Sequence, residues 1–356
     1  MGPLAGVRVV EFQGLGPAPF AAMWLADMGA EVVELVRPGA RALFPVPQDE
    51  LARGRRRVEI DLKDDAARAE LMPLIERADI LIEGFRPGVM ERLGLGPEVL
   101  CARNPRLVYG RMTGWGQDGP RAAEAGHDIT YLALTGALHA IGGADRPVPP
   151  LNLLGGFAGG SLYLIAGLLA ALVERGRSGQ GQVVDAAIVD GTAHLTSMIH
   201  SLMAGGHWRD ARAANLLDGG APYYRCYVCA DGLWLAIGAL EPQFWAALVE
   251  GLGGPDLPDR ADPANWPLLE ARLAGLFAER SRADWLEIFD GTDACVAPVH
   301  DFSAAAADPH MQARAVFTAR GGGIAVNPAP RLSRTPGALP EAGVADTLEA
   351  CFADWR

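Results

Sequence analysis

Residues 7–36 read VRVVEFQGLGPAPFAAMWLADMGAEVVELV, and this stretch decides the fold. The β-branched run 7–12 predicts a strand, and a helical pattern over 20–28 follows it after a turn rich in glycine and proline. Gly29 ends the helix, and residues 31–36 predict a second strand. Two strands joined by one helix form a βαβ unit, which places both strands parallel in one sheet.

The same alternation continues through more than half of the chain. Strands are again separated by helices of ordinary length, so the sequence predicts an α/β fold with a parallel sheet and Rossmann-like winding. The further strands expected here cover residues 58–62, 79–83, 107–112 and 182–186. The further helices expected here cover residues 64–78, two short pieces up to Ala102, and the long stretch 188–203.

After about Gly205 the pattern changes to that of a smaller α+β domain. Asp231-Gly232 is a strong turn signal between two β-rich runs and predicts a hairpin. The expected elements are strands over 222–229 and 233–238 and helices over 241–252 and 270–289. The expected domains are a large Rossmann-like domain over 1–205 and 320–356, to which the tail returns, and a small α+β domain over 215–312.

The chain has 356 residues and a formal net charge of −12, and half of its residues are apolar. That is enough apolar material for a full core and excludes a disordered chain. The acidic balance excludes a protein coated in positive charge for nucleic acid, so a bound polyanion must be held by a local group of cations. Five scattered cysteines and the lack of an export signal predict a protein of the reducing cytoplasm.

One stretch imitates a membrane span, because residues 151–173 contain no charged side chain. Glycine pairs at 155–156 and 159–160 are expected to break its first half, which leaves 162–173 as a clean helix. An apolar run of that length is typical of a buried core helix, so no membrane partner is expected.

Two short motifs resemble a dinucleotide-binding turn and a zinc site, but each lacks a part that such a site requires. The turn 14–16 resembles the start of a dinucleotide fingerprint, but Pro19 occupies the place of the glycine that packs helix against strand. Cys226 and Cys229 fall in a predicted strand, where residues three apart face opposite sides, and no second cysteine pair completes a zinc site. We therefore expect a plain strand–turn–helix connection, two packing cysteines and no metal.

Positive charge in the first part of the chain gathers near the ends of predicted strands. Arg37 follows the second strand, Lys63, the only lysine, follows the third, and Arg86 follows the fourth. The run 53–57 and Arg92 lie in the same region. Ligands of open α/β sheets bind at the carboxyl ends of strands, and a guanidinium fork suits phosphate oxygens. Position therefore favours a phosphate-bearing ligand over the alternative, a solvated surface balanced by nearby acids.

Long motifs follow one another in order along nearly the whole chain. They cover residues 9–12 with 16–17, 28–33, 83–88, 113–117, 126–128, 181–185, 219–224 and 241–244. On these motifs the chain resembles the class III CoA-transferase superfamily, and within it the α-methylacyl-CoA racemase branch. The resemblance implies an interlocked homodimer, in which a Rossmann-like domain binds CoA and the partner's small domain completes the active site.

The resemblance also implies which residues hold an acyl-CoA thioester and which act on it. Racemisation at the α-carbon needs an acid/base group on each face and donors for the enolate oxygen. His127 is implied as one base, tuned by Glu241, with backbone N–H groups beside Asp128 near the enolate. No cofactor is implied beyond the CoA of the substrate. The implied CoA-thioester contacts are Arg37, Ile60, Asp61, Leu62, Lys63, Gly84, Phe85, Arg86, Arg92, Gly126, Ile129, Thr130 and Tyr131.

The second acid of this family is missing from the chain. The resemblance places Gly156 at the position of the family's aspartate, and between residues 147 and 184 the only acid is Glu174. The same aspartate is the nucleophile of the transferases, so acyl-CoA transfer by that route is expected to be lost. Two-base racemisation then needs water or another group, for example Tyr224, on that face.

Three functions stay open. A racemase-type enzyme with a substituted second base predicts that His127 alone exchanges the α-proton with solvent. A repurposed enzyme would need one base and would use the space at Gly156 for a bulkier substrate. A catalytically silent homologue would bind acyl-CoA without turnover. Restoring aspartate at 156 distinguishes the first from the second, and His127→Ala distinguishes both from the third.

Overall fold

The computed structural model describes residues 2–40, 46 and 48–355, and the described chain divides into two compact units. The second unit also contains the segment Gly136–Pro150 and the helix after Thr196, which the sequence pattern groups with the large domain. Hydrophobic periodicity reports an element and not the unit on which it packs, so the boundaries at 205, 215 and 320 stay predictions. The first unit comprises the described residues of Met1–Thr135, Leu151–Leu195 and His310–Arg356, and the second comprises Gly136–Pro150 and Thr196–Pro309.

Parallel strands form the centre of the first unit. The strands of the described chain are β1 (Arg8–Phe12), β2 (Glu31–Val36), β3 (Arg55–Glu59), β4 (Ile80–Glu83), β5 (Val108–Thr113), β6 (Val183–Ala187), β7 (Tyr224–Val228), β8 (Trp234–Gly238), β9 (Val296–Pro298), β10 (Phe317–Arg320), β11 (Gly323–Val326) and β12 (Val344–Asp346). Seven of them form one parallel sheet in the order β12-β3-β2-β1-β4-β5-β6. Val10 of β1 pairs with Val33 on one side and Leu81 on the other, so the chain order reverses here. This doubly wound order confirms the predicted α/β class with Rossmann-like winding.

Helices cover both faces of the parallel sheet. The α-helices of the described chain are α1 (Pro17–Asp27), α2 (Asp65–Ile75), α3 (Val89–Arg92), α4 (Pro97–Arg103), α5 (Asp128–Leu134), α6 (Ala137–Ala140), α7 (Tyr163–Ser178), α8 (Ile188–Leu195), α9 (Ser197–Ala204), α10 (Pro242–Gly251), α11 (Trp266–Phe277), α12 (Arg282–Phe289), α13 (Phe302–Ala307), α14 (Pro309–Ala313) and α15 (Leu348–Asp354). One core cluster contains Leu25 of α1 and Leu168 of α7, and the other contains Leu74 of α2 and Leu100 of α4. Both faces are therefore buried, which explains why the central strands are apolar almost throughout.

The glycine pairs before α7 do not break the helix, so that part of the sequence prediction is wrong. Leu153–Leu162 forms a π-helix that continues directly into α7. Its glycines allow close packing, since a Cβ on Gly160 would lie 3.1 Å from Cγ1 of Ile188. By length and composition alone, Leu153–Ser178 is apolar enough to cross a membrane, a test that core helices of soluble proteins also pass. Leu168 is fully buried in the first unit, which favours the core-helix interpretation.

Two stretches predicted as single helices are each divided in the structure. The first is interrupted at Thr196, between α8 and α9. The second divides into α11 and α12 because Ser281 begins a new helix, where its hydroxyl accepts the Asp284 N–H at 3.2 Å. Apolar spacing runs through both breaks, and periodicity alone therefore predicts one helix in each place.

Strand β3 begins at Arg55, earlier than the Val58 that the sequence predicts. Its arginines are neutralised by acids of the neighbouring strands: Arg55 lies 2.7 Å from Glu11, and Arg57 lies 2.7 Å from Glu34. A strand whose charged side chains are hidden in ion pairs does not show the apolar pattern by which strands are predicted.

The second unit contains the predicted hairpin. β7 and β8 pair antiparallel, with Val228 opposite Trp234, and β9 pairs with the other edge of β8. Phe277 and Trp285 are buried in its core, together with side chains of the sheet and of α10. The predicted second, smaller domain with an antiparallel sheet is confirmed.

The C-terminal tail packs on the first unit. Strand β12 pairs in parallel with β3, placing Ala345 beside Arg57. Arg56 binds Asp346 and Asp354 at 2.6 Å each, and Trp355 is fully buried. The outer edge of β3 is therefore covered by the end of the chain.

Candidate active site

A cleft of about 640 Å³ lies at the carboxyl edge of the parallel sheet. Loops that directly follow β1, β4, β5 and β6 form its walls, together with α5 and the π-helix. The cleft lies where the strand order reverses, which is the position at which doubly wound sheets bind ligands. Its lining residues are 15–18, 84–87, 112–115, 122, 124–128, 131, 152, 156 and 188.

His127 lies at the start of α5 and lines this cleft. Its N–H donates to the Thr130 hydroxyl oxygen at 3.1 Å, and that hydroxyl donates to the His127 carbonyl at 2.7 Å. These two bonds fix the backbone from which the imidazole projects. The imidazole is exposed, so it can exchange a proton with a ligand in the cleft. The Thr130 hydroxyl, predicted as a CoA contact, serves this helix start.

Asp128 lines the same cleft and is half-buried. Its Oδ1 accepts the N–H of Gly156, whereas its Oδ2 is buried and has no hydrogen-bond partner among the described residues. Burial raises the pKa of Asp128, against the lowering effect of the Gly156 N–H. This carboxyl therefore holds its proton to a higher pH than a solvated aspartate does.

Gly155 and Gly156 make room for the Asp128 carboxyl. A Cβ on Gly155 would lie 2.6 Å from Asp128 Oδ1, and a Cβ on Gly156 would lie 3.2 Å from the same atom. The π-helix backbone therefore packs directly against the carboxyl. Because Gly156 also lines the cleft, the position at which the resemblance implies an aspartate lies beside Asp128.

Tyr131 and Trp115 form an aromatic wall of the cleft. Their rings meet edge to face with centroids 4.6 Å apart. Gly114 and Gly126 permit this contact, since a Cβ on either would collide with the Tyr131 ring. Burial raises the pKa of Tyr131 while the positive charge of Arg86 lowers it, so Arg86 lies close enough to act on groups of this wall.

The cations that the sequence predicts near the ends of the strands fall into two groups. Arg53, Arg55, Arg56 and Arg57 pair with Asp27, Glu11, Asp346 and Glu34, in that order, at 2.5 to 2.7 Å. Four further cations that the sequence singles out, Arg37, Lys63, Arg86 and Arg92, are exposed and form no ion pair with the described residues. The first group stabilises the sheet, and the second remains available to a phosphate.

Some of the other predicted CoA contacts line the cleft, and others lie outside its lining. Gly84, Phe85 and Gly126 line the cleft. Ile60 is buried in the core, where its side chain packs against neighbouring residues. The predicted contacts outside the cleft lining are Arg37, Asp61, Leu62, Lys63, Arg92, Ile129 and Thr130.

Tyr224 and Glu241 belong to the second unit. Tyr224 lines a cleft of about 670 Å³ in that unit, together with Cys226 and Cys295. Desolvation and the charge of Glu241 raise the pKa of Cys295, which places Glu241 near this cleft. The structure thus brings His127, Asp128 and Gly156 together in the first unit, and it groups Tyr224 with Glu241 in the second.

The two cysteines of the hairpin have different surroundings. Cys229 is buried in the core of the second unit, whereas Cys226 is exposed on β7. The packing prediction is therefore confirmed for Cys229 and wrong for Cys226, because the pleat of β7 turns Cys226 outward. Among the described residues, no group of three or more His, Cys, Asp or Glu side chains is placed to hold a metal ion.

Sequence reasoning missed several uncharged residues of the cleft wall, among them Pro17, Trp115 and Ile188. A signal for them exists, since each comes shortly after a predicted strand. The carboxyl ends of parallel strands meet at one edge of the sheet. Apolar residues that follow these strands therefore line a cleft there, as charged residues do.

Comparisons with known proteins agree with this geometry. The model of CoA-transferase family III matches residues 4–343. An alpha-methylacyl-CoA racemase of Mus musculus is 48% identical over 343 residues, which cover 95% of this chain and 88% of the relative. The alpha-methylacyl-CoA racemase of Homo sapiens is 47% identical over 337 residues, 94% of this chain and 87% of the relative. A CAIB/BAIF family protein from Brucella suis superposes with a TM-score of 0.84 and 25% identity, covering 100% of both chains.

Proposed function

Because the chain belongs to CoA-transferase family III, we propose that it is a racemase-type isomerase acting on the α-carbon of a 2-methylacyl-CoA thioester. One observation carries the proposal: the exposed His127 imidazole lies in the ligand cleft of a doubly wound sheet, beside Asp128 and Gly156. The similarity to two racemases over nearly the whole chain supports the same reaction class.

His127 is the base on one face of the α-carbon in this proposal. The neutral imidazole takes the α-proton, and the C–H electron pair passes into an enolate whose negative charge rests on the thioester oxygen. Backbone N–H groups beside Asp128 stabilise that oxygen. Because the imidazole is exposed, the imidazolium exchanges its proton with water before it returns one to the carbon.

Arg37, Lys63, Arg86 and Arg92 supply the contacts to the CoA phosphates. Arg86 is the one that lines the cleft, and Arg37, Lys63 and Arg92 extend the positive surface beyond it. These exposed cations offset the overall charge of −12 locally, which the ion-paired arginines of β3 cannot do.

We also propose that the chain works as a homodimer in the cytoplasm. Apolar side chains are left exposed along and beside the long helix: Leu153 (57%), Leu162 (49%), Val173 (61%) and Leu195 (45%). Exposed apolar surface of this kind is typical of a subunit interface. In an interlocked dimer, Tyr224 and Glu241 of one copy complete the cleft of the other. A measured solution mass of one chain would contradict the dimer.

Gly156 favours a second candidate, an acyl-CoA-binding homologue that is repurposed or silent. Without a carboxylate at 156, covalent CoA transfer through that residue has no nucleophile, so a transferase is not proposed.

The decisive experiment is deuterium exchange. Each enantiomer of a 2-methylacyl-CoA is incubated with the protein in D₂O, and label at the α-carbon is measured by mass spectrometry. We expect exchange, reduced about 10²–10⁴-fold by His127→Ala because a general base is lost. His207→Ala, which removes an exposed imidazole outside the cleft, is the matched control. Absence of exchange into either enantiomer, or exchange unchanged by His127→Ala, overturns the proposal.

A further inference from the structure

Next to the position that lacks the family's acid, the structure holds another carboxyl group. We propose that Asp128 is the acid/base residue for the face of the α-carbon opposite His127, so that α5 supplies the group that position 156 lacks. This inference rests on the proposed function, because it concerns the same α-proton reaction.

The location of the carboxyl is the first argument. A side chain at 156 would begin 3.2 Å from Asp128 Oδ1, and Gly156 donates its N–H to that same oxygen. A carboxyl attached at 156 and the carboxyl of Asp128 would therefore occupy one neighbourhood of the cleft. Gly155 is required for this arrangement, since its Cβ would lie 2.6 Å from Oδ1.

The orientation of the two side chains is the second argument. His127 has extended backbone geometry, with φ −135° and ψ 169°. Asp128 is the first residue of α5, so the backbone changes from extended to helical geometry between the two residues. Both side chains line the same cleft, so both can reach one ligand there, and the proposal assigns them to its two faces.

The unpartnered oxygen is the third argument. Asp128 Oδ2 is buried without a hydrogen-bond partner among the described residues. A buried carboxylate oxygen left without a donor is costly, and the cost falls when the group is protonated or when a ligand meets it. The other acid of the cleft lining, Glu124, is exposed and bound to Arg121 at 3.2 Å, so it lacks this property.

Other groups of the cleft fit the role less well. The Tyr131 hydroxyl lines the cleft, but burial raises its pKa above that of an ordinary phenol, which makes it a weak acid at neutral pH. Tyr224 lines the cleft of the second unit with other residues of that unit. Asp128 is therefore the acid that the first unit itself offers to the enolate.

The proton balance closes over the two residues. Neutral His127 takes the α-proton, and the C–H electron pair becomes the enolate π system. Protonated Asp128 then gives its proton to the opposite face of the α-carbon, and the enolate electrons form the new C–H bond. The substrate is inverted, leaving an imidazolium and a carboxylate. One proton passes from the imidazolium to the carboxylate through water and resets the site. The reverse reaction uses carboxylate as base and imidazolium as acid.

The test separates exchange from inversion. Each enantiomer of a 2-methylacyl-CoA is incubated in D₂O, and both the deuterium content and the enantiomer ratio are followed. We expect Asp128→Asn to lower inversion about 10²–10⁴-fold, the range for losing one general acid. Exchange with retention of configuration at the His127 face should persist. The asparagine keeps an oxygen that can accept the Gly156 N–H, so the loop geometry is preserved.

Two further variants complete the design. Asp128→Asn/Gly156→Asp restores a carboxyl in the same neighbourhood and is expected to regain inversion. Asp185→Asn is the matched control: its carboxylate also accepts a backbone N–H, from Gln117 at 3.3 Å, but it does not line the cleft. We expect it to invert at the wild-type rate.

The outcomes distinguish this inference from the proposed function. A wild-type protein that exchanges no deuterium overturns the proposed function itself. Full inversion by Asp128→Asn overturns only the role of Asp128, whereas wild-type exchange without inversion overturns that role and the racemase assignment together. If Asp128→Asn loses exchange as well, the double variant decides: recovery of inversion supports the role, and no recovery contradicts it.

Discussion

Two carboxyl groups of the first unit are withdrawn from water, one at the centre of the sheet and one at the cleft. Burial raises the pKa of Glu11 to about 8 and raises the pKa of Asp128 as well. Glu11 is fully buried and lies 2.7 Å from the Arg55 guanidinium. Asp128 has the backbone N–H of Gly156 on one oxygen and no partner among the described residues on the other.

The two regions differ in access as well as in burial. The surroundings of Glu11 are closed, because Arg55 also donates to the carbonyl oxygens of Leu51 and Pro19. Asp128 lines a cleft that a ligand can enter. The cations show the same contrast, since Arg55 is sealed in its ion pair whereas Lys63 is exposed. A carboxyl group with a raised pKa is therefore a functional candidate only where a ligand can also reach it.

The largest expected effect is on stability, at the closed region. Arg55→Met keeps an apolar stem but removes the cation that faces Glu11 and the donor for two backbone carbonyls. Breaking a buried pair in this way costs about 3–5 kcal/mol, measured by denaturant unfolding above pH 8, where Glu11 carries its charge. Arg37→Met, at an exposed cation, should change stability by less than about 0.5 kcal/mol. Equal losses in the two variants would remove the distinction between closed and open cations.

The next effect is a pH dependence of stability that comes from Glu11. Its folded-state pKa of about 8 lies above the ordinary 4.5, so the folded chain binds this proton more tightly than the unfolded chain. The contribution is complete below about pH 4.5 and is lost as pH rises through 8, with a slope of at most about 1.4 kcal/mol per pH unit. Glu11→Gln should flatten that slope in unfolding curves taken from pH 5 to 9. An unchanged slope would show that Glu11 does not hold its proton in the fold.

A smaller effect tests the open region, at the glycines beside Asp128. Gly155→Ala places a Cβ 2.6 Å from Asp128 Oδ1 and should displace the carboxyl, lowering inversion about tenfold if Asp128 acts as proposed, at a stability cost of about 1–3 kcal/mol. Gly176→Ala, in α7 with nothing within 4 Å of its Cβ, should leave inversion unchanged and stabilise the helix by about 0.5–1 kcal/mol. Equal inversion rates in both variants would mean that the position of the carboxyl is unimportant.

The sequence predicted what local patterns encode. The run 7–36 predicted β1, α1 and β2, and the observed β2 has the predicted bounds Glu31–Val36. The predicted bounds of β3 were wrong because ion pairs with other strands, and not apolar side chains, hold Arg55 and Arg57 in the sheet. The π-helix was missed because glycine disfavours an isolated helix. In the fold, the glycines stabilise this helix because they have no side chains and let it pack closely against α8.

The candidate site was predicted only in part for a related reason. The roles of His127 and Gly156 came from resemblance and not from periodicity. The hydrogen bond that joins Asp128 to Gly156 spans 28 residues of sequence, so no local sequence pattern predicts it. Strand-end position did indicate the cations, but only the structure divides them into paired and unpaired groups.

The smallest expected effect concerns Lys63, an open cation whose surroundings contrast with those of Arg55. Lys63 is the only lysine of the chain, so an amine-directed reagent can modify Lys63 and the N-terminal amine alone. If Lys63 contacts a CoA phosphate, saturating CoA should slow its labelling about twofold or more, because a charge-assisted hydrogen bond holds the amine protonated and shielded. The N-terminal amine serves as the internal reference in the same mass spectrum. Equal labelling of Lys63 with and without CoA would show that exposure and a missing ion pair do not by themselves make a phosphate contact, and the phosphate role would then fall to Arg86 at the cleft.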